Sequence, residues 1–365
     1  MVEMEALRAK AAADLEQLAL DAMADETNTS WLGEDLSQVS ERCRLFHHAG
    51  FLHVPNFYEN PQILKDEMRR LVETQWTTDS ALDSFGTNDQ QNKMRGDYFL
   101  ESSNKVHFFA EPHALDDNNQ LREKYSSDRM TALNKVGHAL HIQPGPFREY
   151  CLDSKVRELV CDLGWKDPVV PQSMYIFKQA LHGAEVTSHQ DSTFLYTTPR
   201  QTCLGLWLAL DDATLENGCL WLRPRSHREP VRRQYKRNPE HFGNESIETR
   251  SNEAKGDASA AKLIMEELSS ETNAADVWDG KVPPNGWDGL LEAGFLPVEC
   301  KAGDLLVFCG TLDHLSLPNT SDGARHTFQL HLVDGPEAGV TWSPSNWLQY
   351  PGGAPFIRLL ESIDL

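Results

Sequence analysis

The sequence predicts a mainly β protein with flanking helices, an α+β chain whose antiparallel strands form a sandwich or a barrel. From Val169 onward, short runs rich in β-branched and aromatic residues alternate with turn signals. The sequence shows no long crossover helix after these runs, which argues against parallel strands. A chain of 365 residues, 40% hydrophobic and 24% charged, can bury a sizeable core, so wholesale disorder is excluded.

Helical patterns dominate the first part of the chain. Residues 1–40 begin with an acidic amphipathic pattern and are predicted to form a helical and polar extension. A second helix is predicted at residues 62–74, where four apolar side chains share one face. Residues 75–95 are polar and predict a loop, and residues 127–140 predict a further helix.

The strands are predicted in the later part of a single domain that spans residues 41–365. They are predicted at residues 172–178, 203–210, 218–222, 304–308 and 327–333. The polar stretch at about 239–289 interrupts this pattern and is predicted to be an insertion with one short helix around 260–268. Trp278 and Trp287 predict that the end of the insertion docks on the domain.

The charge of the chain excludes two classes of partner. Lys and Arg number 34 and Asp and Glu number 55, which gives a net charge of −21. Such an acidic chain repels phosphate backbones and anionic lipids, so we expect neither nucleic acid nor a membrane surface as a partner. The mean hydropathy is −0.50. The longest apolar run, residues 203–210, is far shorter than the roughly 20 residues that a spanning helix needs.

The seven cysteines predict a reducing compartment. Their number is odd, and none forms a Cys-x-x-Cys pair, so we expect reduced thiols, packed mostly as small hydrophobic side chains. The acidic start differs from secretory and transit signals, and the last residues do not match a peroxisomal address. These features predict a cytoplasmic protein.

A metal-ligand pattern stands out because the common catalytic signatures are missing from the sequence. On a strand, residues two apart share a face, so His189 and Asp191 can bind one ion, although such a pair alone is more typical of an ion pair. With His314, they form the two-histidine, one-carboxylate triad of non-haem Fe(II). Arg325 opens the next strand, where an arginine can bind a carboxylate of a diacid co-substrate.

The longer motifs resemble the phytanoyl-CoA dioxygenase family, which belongs to the Fe(II)/2-oxoglutarate-dependent oxygenases. The resemblance extends from about residue 45 to about residue 356. It is carried, besides His314 and Arg325, by residues 105–109, 134–141, 172–179, 189–191, 212–221, 303–307 and 342–349.

This resemblance implies a double-stranded β-helix, the jelly-roll or cupin-like fold. It also implies an enzyme that couples oxidative decarboxylation of 2-oxoglutarate by O₂ to hydroxylation of an unidentified small-molecule or acyl substrate. By resemblance, the Fe(II) ligands are His189, Asp191 and His314. The same resemblance implies which residues contact 2-oxoglutarate. Besides the ligands His189 and Asp191, they are Arg325, Ser316, Lys135, Met174 and Trp207.

Two other functions are compatible with the same residues. One is a catalytically silent jelly-roll that serves as a binding or scaffold protein. The other is a cupin-like metalloprotein that uses the triad with Zn or Mn. The complete triad argues against the first, and Arg325 argues against the second.

Several further residues have two interpretations. Residues 223–237, here called the basic segment, hold seven Arg or Lys residues and one acid, Glu229. They form either a patch for an anionic substrate, such as a CoA thioester, or a solvated loop with salt bridges to the acidic insertion, and the loop is favoured. His227 is interpreted as part of a turn, although Arg225 replaces the glycine usual there in the family. His326 and His331 are interpreted as structural.

Overall fold

A computed structural model describes residues 2–25, 39–76, 83–84, 96–118, 120–243, 252–268 and 278–360. The predicted fold class is confirmed: β-strands dominate and helices flank them. The α-helices of the described part are α1 Val2–Ala24, α2 Glu41–Ala49, α3 Gln62–Gln75, α4 Asp97–Glu101, α5 Pro146–Cys151, α6 Ser154–Asp162, α7 Pro239–Phe242 and α8 Gly286–Glu292.

The strands of the described part follow a similar spacing to the predicted runs. They are β1 Phe51–Val54, β2 Asp83–Ser84, β3 Val106–Ala110, β4 Leu133–His138, β5 Pro168–Lys178, β6 Val186–His189, β7 Thr197–Thr198, β8 Leu204–Ala209, β9 Leu220–Leu222, β10 Arg233–Arg237, β11 Leu263–Glu267, β12 Leu296–Val298, β13 Leu305–Cys309, β14 His314–Ser316, β15 Arg325–Asp334, β16 Thr341–Trp342 and β17 Ile357–Arg358. All five predicted strands are therefore present.

A large sheet and a smaller one build the jelly-roll. The large sheet has the strand order β1-β13-β8-β15-β5-β4-β3-β2, with β17 also paired to β5. Its pairs are antiparallel except β2 with β3. The smaller sheet has the order β12-β9-β14-β6. Its pairs are also antiparallel, and its two strands β14 and β6 carry both histidines of the predicted triad.

The alternation of side chains along β15 places four polar residues on one face of the large sheet. These are Arg325, Thr327, Gln329 and His331, which lie two residues apart. His331 contacts Asp191 beside the smaller sheet, so this face is the one turned toward that sheet. The opposite face packs Phe328 and Leu330 into the main hydrophobic core.

The N-terminal helix packs on the domain. Leu7, Ala11 and Ala22 of α1 are buried, and the helix contacts α2 and β12. Arg8 Nε donates to Glu299 Oε2 at 2.7 Å. Residues 26–38 lie outside the described residues, as does most of the predicted loop at 75–95. The division into an extension and a domain at residue 40 stays a prediction.

The helix predicted at residues 127–140 is wrong. The structure has a short 3₁₀ turn, Arg129–Ala132, followed by β4. The strand β4 lies between β3 and β5 in the large sheet, and most of its side chains are buried, including Lys135. A strand covered on both faces loses its two-residue alternation, so apolar residues at 133, 136 and 140 imitate helical spacing.

The helix predicted around residues 260–268 is also wrong. These residues contain β11, which pairs with β10. Leu, Met and Glu favour helices, but pairing with β10 outweighs that preference. Lys236 Nζ lies 2.6 Å from Glu266 Oε2 across this pair. Trp278 and Trp287 pack against the main core, so the predicted docking of the end of the insertion is confirmed.

The seven cysteines, all of them described, are free, and six are buried. This agrees with the predicted reduced thiols that pack as small hydrophobic side chains. Among the described helices, none combines the length and the apolar character that crossing a membrane requires.

Arg225 has the left-handed backbone that the family's glycine would adopt without strain, with φ +67°. Its side chain is about half exposed and contacts Asp21 and His48. We expect the free energy of unfolding of Arg225→Gly to be about 1 kcal/mol higher than that of Arg225→Ala. Both variants lose these contacts, but only alanine keeps the strain of the left-handed backbone. Urea denaturation measures the difference. Equal stability of the two variants would contradict the prediction.

Candidate metal centre

Three predicted ligands converge between β6 and β14. His189 is the last residue of β6, Asp191 begins a 3₁₀ turn directly after it, and His314 is the first residue of β14, paired with His189. Asp191 Oδ1 lies 3.5 Å from His189 Nε2 and 3.8 Å from His314 Nε2. All three ligand atoms lie within 4.8 Å of one another. An ion held by these two imidazoles and one carboxylate would keep coordination positions open for other ligands.

Backbone carbonyl groups orient both histidines. His189 Nδ1 lies 2.8 Å from the Thr187 carbonyl oxygen, and His314 Nδ1 lies 3.0 Å from that of Leu312. If each Nδ1 carries the proton and donates it, each Nε2 has a lone pair for a metal. Burial lowers the pKa of His314 to about 4, so this imidazole is neutral at neutral pH.

Asp191 stays ionised although it is buried. Burial favours the neutral acid, but interactions with the His331, His314 and His189 imidazoles around the carboxylate hold the pKa of Asp191 well below its ordinary value. A carboxylate that is ionised and surrounded by imidazoles is suited to bind a divalent cation.

His331 is a site residue that sequence reasoning missed. It was interpreted as structural, but its Nε2 lies 3.2 Å from Asp191 Oδ2 and its side chain is buried. His331 therefore holds one carboxylate oxygen while the other, Oδ1, lies toward the two ligand histidines. The two-residue alternation from Arg325 to His331 places both residues on one face of the strand, but the sequence does not show that His331 contacts Asp191.

We expect His331→Ala to raise the dissociation constant for Fe(II) at least about tenfold, because a residue that orients a metal ligand typically contributes that much to affinity. An anaerobic competition with a chromophoric chelator measures this constant. His326→Ala is the matched control, since His326 lies on the opposite face of β15, where its Nδ1 contacts the Tyr175 hydroxyl at 2.8 Å. Equal weakening in both variants would contradict the role of His331.

A cationic pocket lies where β5 and β15 pair. Arg325 is buried and stands opposite Lys178 in the register of the two strands. Arg325 Nη2 donates to the Gly218 carbonyl oxygen at 3.1 Å, and Ser316 Oγ donates to the same oxygen at 3.0 Å. Arg325 and Ser316, predicted to act together, are therefore adjacent.

Gly218 is required at this place. Its φ is +85°, and a Cβ there would lie 2.5 Å from Lys178 Cε and 2.7 Å from the Leu317 carbonyl oxygen. A side chain would thus displace either the backbone of the strand after Ser316 or the Lys178 stem. The glycine allows its carbonyl to approach both Ser316 and Arg325.

Lys178 is a second cation that sequence reasoning did not assign to the site. Burial and the charge of Arg325 lower its pKa well below the ordinary value, and its Nζ donates to the Ala184 carbonyl oxygen at 2.8 Å. Burial also lowers the pKa of Arg325 to about 10, so Arg325 remains protonated at neutral pH. A bound anion would stabilise the charged forms of both residues, so this pair favours an anionic ligand.

The other predicted pocket residues lie on the same side of the sheet. Lys135 Nζ lies 3.9 Å from Met174 Sδ and 3.0 Å from His138 Nε2. The Trp207 ring lies 5.2 Å from the Arg325 guanidinium carbon. Met174 and Trp207 both stand opposite Gln329 in the register of β15. The structure therefore brings all eight predicted site residues to one region between the two sheets.

The basic segment is mostly neutralised by carboxylates. Arg223 and Arg232 contact Glu229 and Asp313, and Arg233 contacts Asp279. Lys236 pairs with Glu266 of the insertion, as noted above. Salt bridges thus account for much of this segment, as the favoured interpretation held, but Asp313, beside His314, is a main partner and lies outside the insertion.

His227 lies in the 3₁₀ turn Ser226–Arg228, as interpreted from the sequence. It is buried, and its Nε2 lies 3.1 Å from the His47 carbonyl oxygen. Burial lowers the pKa of His227 to about 3, so it packs as a neutral residue. The turn supports α2 and does not contribute to the triad.

A second group with metal-ligand chemistry has a structural explanation. His53, Cys300 and Asp304 also bring ligand atoms within 4.8 Å of one another. Asp304 already accepts from the backbone N–H groups of Asn56 and Lys301, each at 2.8 Å, and lies 2.9 Å from His53 Nε2. Burial raises the pKa of Cys300, so its thiol is protonated. This group therefore fixes the turn before β13.

Comparison with known proteins shows the family to which this chain is similar. A family model described as phytanoyl-CoA dioxygenase (PhyH) matches residues 46–327. Phytanoyl-CoA dioxygenase 1 of Oryza sativa subsp. japonica is 36% identical over 315 residues, which cover 86% of this chain and 94% of that protein. Phytanoyl-CoA dioxygenase domain-containing protein 1 of Rattus norvegicus is 35% identical over 316 residues, which cover 85% and 94%. The motifs at residues 105–109, 134–141, 172–179 and 342–349 predict a likeness to the latter protein in particular, which this match confirms.

One solved structure has a similar fold. The epimerase SnoN, in complex with Fe³⁺, alpha ketoglutarate and nogalamycin RO, has a TM-score of 0.51 and 15% sequence identity, and the match covers 95% of this chain and 96% of that one. At this identity the likeness concerns the fold alone, and it confirms the jelly-roll. The family match confirms the predicted enzyme class, a dioxygenase. The predicted cofactors Fe(II), 2-oxoglutarate and O₂ agree with that class and with the triad.

Proposed function

Because the chain belongs to the phytanoyl-CoA dioxygenase family, we propose that it hydroxylates a small-molecule or acyl substrate with Fe(II), 2-oxoglutarate and O₂. The observation that carries the proposal is the pairing of two sites between the same two sheets. One is the convergence of His189, Asp191 and His314, and the other is the buried cationic pocket around Arg325.

The donor set fits Fe(II). Two neutral imidazoles and one carboxylate are the ligands of non-haem iron oxygenases, and three protein ligands leave positions for a co-substrate and O₂. A thiolate, which would favour Zn or Cu(I), is not part of the triad. His331 holds Asp191 Oδ2, which favours binding of the metal through Oδ1 alone.

The cationic pocket fits the distal carboxylate of 2-oxoglutarate. Arg325 Nε is buried and has no hydrogen-bond partner in the structure. A buried donor without a partner is costly, so a ligand that accepts from it is favoured. The guanidinium can bind a carboxylate through two hydrogen bonds, and Ser316 lies beside it. A bound carboxylate would also favour the charged form of Lys178, which stands opposite Arg325 on the paired strand.

The residues have separate tasks in the proposed mechanism. When bound, iron supplies the activation of O₂ that couples decarboxylation of 2-oxoglutarate to succinate and CO₂ with insertion of one oxygen atom into the substrate. His189, Asp191 and His314 hold the metal. Arg325 and Ser316 orient the co-substrate from its far end.

Aromatic side chains limit access of water beside the triad. The Phe194 ring lies 6.1 Å from the His189 ring and 5.6 Å from the Tyr235 ring. Tyr235 is buried in a second hydrophobic cluster together with Phe99 and Trp347. An apolar wall strengthens the charge interactions inside the site and protects reactive species from water.

The salt bridges of the basic segment bear on the chemical class of the primary substrate. Four of its six arginines contact carboxylates, as does Lys236, so much of its charge is neutralised, which argues against a broad patch for an anionic substrate. Lys135 lies among aromatic rings, 5.5 Å from that of Phe99 and 5.2 Å from that of Phe109. We therefore propose that the substrate presents mainly apolar groups to this wall. The free cysteines support the cytoplasm as the location.

The test is an anaerobic titration of the metal-free protein with Fe(II) and then with 2-oxoglutarate, monitored by the visible metal-to-ligand charge-transfer band. We expect the band in the wild type and in His47→Ala, a control that removes a buried histidine of α2. We expect no band in Asp191→Ala. Iron binding without the band would support the cupin-like alternative, and no iron binding would support the silent scaffold.

A further inference from the structure

Three arginines and three carboxylates form a compact ion-pair network beside the triad. The arginines are Arg223, Arg232 and Arg233, and the carboxylates are Glu229, Asp279 and Asp313. Their formal charges balance. The sequence showed the basic segment as an anomaly in an acidic chain, and the proposed function does not use it.

Arg232 is the centre of the network. Its Nη2 contacts Asp313 Oδ1, and its Nη1 donates to Asp313 Oδ2 at 3.3 Å and to Glu229 Oε2 at 3.3 Å. Nη2 also lies 3.8 Å from Asp279 Oδ1. The side chains of Arg232, Asp313 and Asp279 are 4, 2 and 8% exposed. Ion pairs at such burial are little screened by solvent.

The partners of Arg232 adjoin both ligand histidines. Asp313 directly precedes His314. Asp279 directly precedes Gly280, whose N–H donates to the Ser188 carbonyl oxygen at 2.7 Å. The Ser188 N–H donates in turn to the Lys281 carbonyl oxygen at 2.9 Å. The end of the insertion therefore pairs with β6 immediately before His189, and Arg232 connects it to the residue before His314.

The backbone of Arg232 contacts the residue that lies between His189 and the third ligand, Asp191. Its N–H donates at 3.2 Å to the side-chain oxygen of Gln190, which lies between His189 and Asp191. Gln190 is fully buried, and its Nε2 donates to the Thr311 carbonyl oxygen at 2.8 Å. Through its backbone and its side chain, Arg232 thus contacts the chain neighbours of all three predicted ligands.

We propose that Arg232 is a positioning residue for the metal centre, which links the β6 and β14 strands through Asp313 and Asp279. The planar guanidinium can contact both carboxylates at once, whereas a single ammonium group cannot bridge them in the same geometry. Arg232 then adds to the direct pairing of β6 with β14 in setting the separation of the two ligand histidines. The inference rests on the proposed function, because it concerns the same metal centre.

The test is the Fe(II) dissociation constant of Arg232→Lys, measured anaerobically by chelator competition. We expect this constant to rise about tenfold, the range found for residues that orient metal ligands from outside the coordination sphere. The control is Arg358→Lys. Arg358 also bridges two carboxylates, Asp167 and Glu337, at 2.5 and 2.7 Å, but these belong to segments without a triad ligand. We expect its constant to stay within twofold of wild type.

Thermal midpoints separate positioning from general stability. We expect both arginine variants to remain folded at the temperature of the binding assay, while only Arg232→Lys loses metal affinity. A folded Arg232→Lys with the wild-type constant would overturn the inference. If Arg232→Lys does not fold, Asp279→Asn, which removes one end of the link and keeps its shape, decides by the same criterion. Wild-type protein that binds no Fe(II) would instead refute the proposed function itself.

Discussion

Replacing His314 by alanine is expected to lower 2-oxoglutarate turnover at least about 1,000-fold. His314 supplies one of three protein ligands, and loss of the metal's charge stabilisation in the transition state is worth several kcal/mol. Since each 1.36 kcal/mol corresponds to a factor of about ten in rate, a loss of about 4 kcal/mol gives this magnitude. Succinate release in the presence of saturating Fe(II) measures it.

Controls can separate loss of the ligand from loss of the fold. His47→Ala removes a buried histidine whose Nε2 lies 2.9 Å from the Leu163 carbonyl oxygen, in contact with no triad residue in the described contacts. This variant should keep most of its turnover. Free imidazole added to His314→Ala should restore part of the activity, because the ligand histidine is the group that was removed. Full activity of His314→Ala without imidazole would refute the metal site.

The convergence of His189 and Asp191 could be predicted from the sequence because the two residues are only two apart in the chain. The strand geometry assumed for the pair is not what brings them together, since β6 ends at His189 and Asp191 begins the 3₁₀ turn that follows. His314 lies far along the chain, and only the family resemblance and a strand exit pointed to it. The pairing of His314 with His189 across β14 and β6 is a property of the sheet, which the sequence does not display.

The large sheet was predicted where strands are rich in β-branched and aromatic residues, as in β5, β8 and β15. The prediction of strands failed for β4 of this sheet and for β11, which lies in a separate two-stranded sheet. β4 is covered on both faces, so its pattern is ambiguous, and β11 consists of good helix formers that pair with β10. In both cases the neighbouring strand decides the structure, and that neighbour is distant in sequence.

His331, Lys178 and Arg232 could not be assigned to the site for a related reason. Each is a charged or polar residue whose partner comes from another strand or loop. A buried lysine or arginine looks like any surface cation in a sequence, because burial depends on the fold. The structure identifies these residues by their contacts with Asp191, with Arg325 and with the neighbours of the triad.

Replacing Arg325 by methionine is expected to raise the KM for 2-oxoglutarate at least about 100-fold. A hydrogen bond to a charged group contributes about 1.5–3 kcal/mol, and a bidentate contact provides two of them. The loss of about 3 kcal/mol or more corresponds to a factor of at least about 100. Initial-rate measurements of succinate release at varied 2-oxoglutarate give the KM, and kcat should change much less.

The stability of the same variant, measured without ligand, is expected to stay equal to that of wild type or to rise. Arg325 is a buried cation beside Lys178, and in the absence of an anion its desolvation opposes folding. Methionine has a similar length without the charge, so Arg325→Met without ligand should unfold with a free energy equal to or higher than that of wild type. A purely structural arginine would behave differently, because its removal would lower stability and leave the KM unchanged. A site that lowers stability in order to bind an anion is thus distinguished from a structural ion pair by one variant and two measurements.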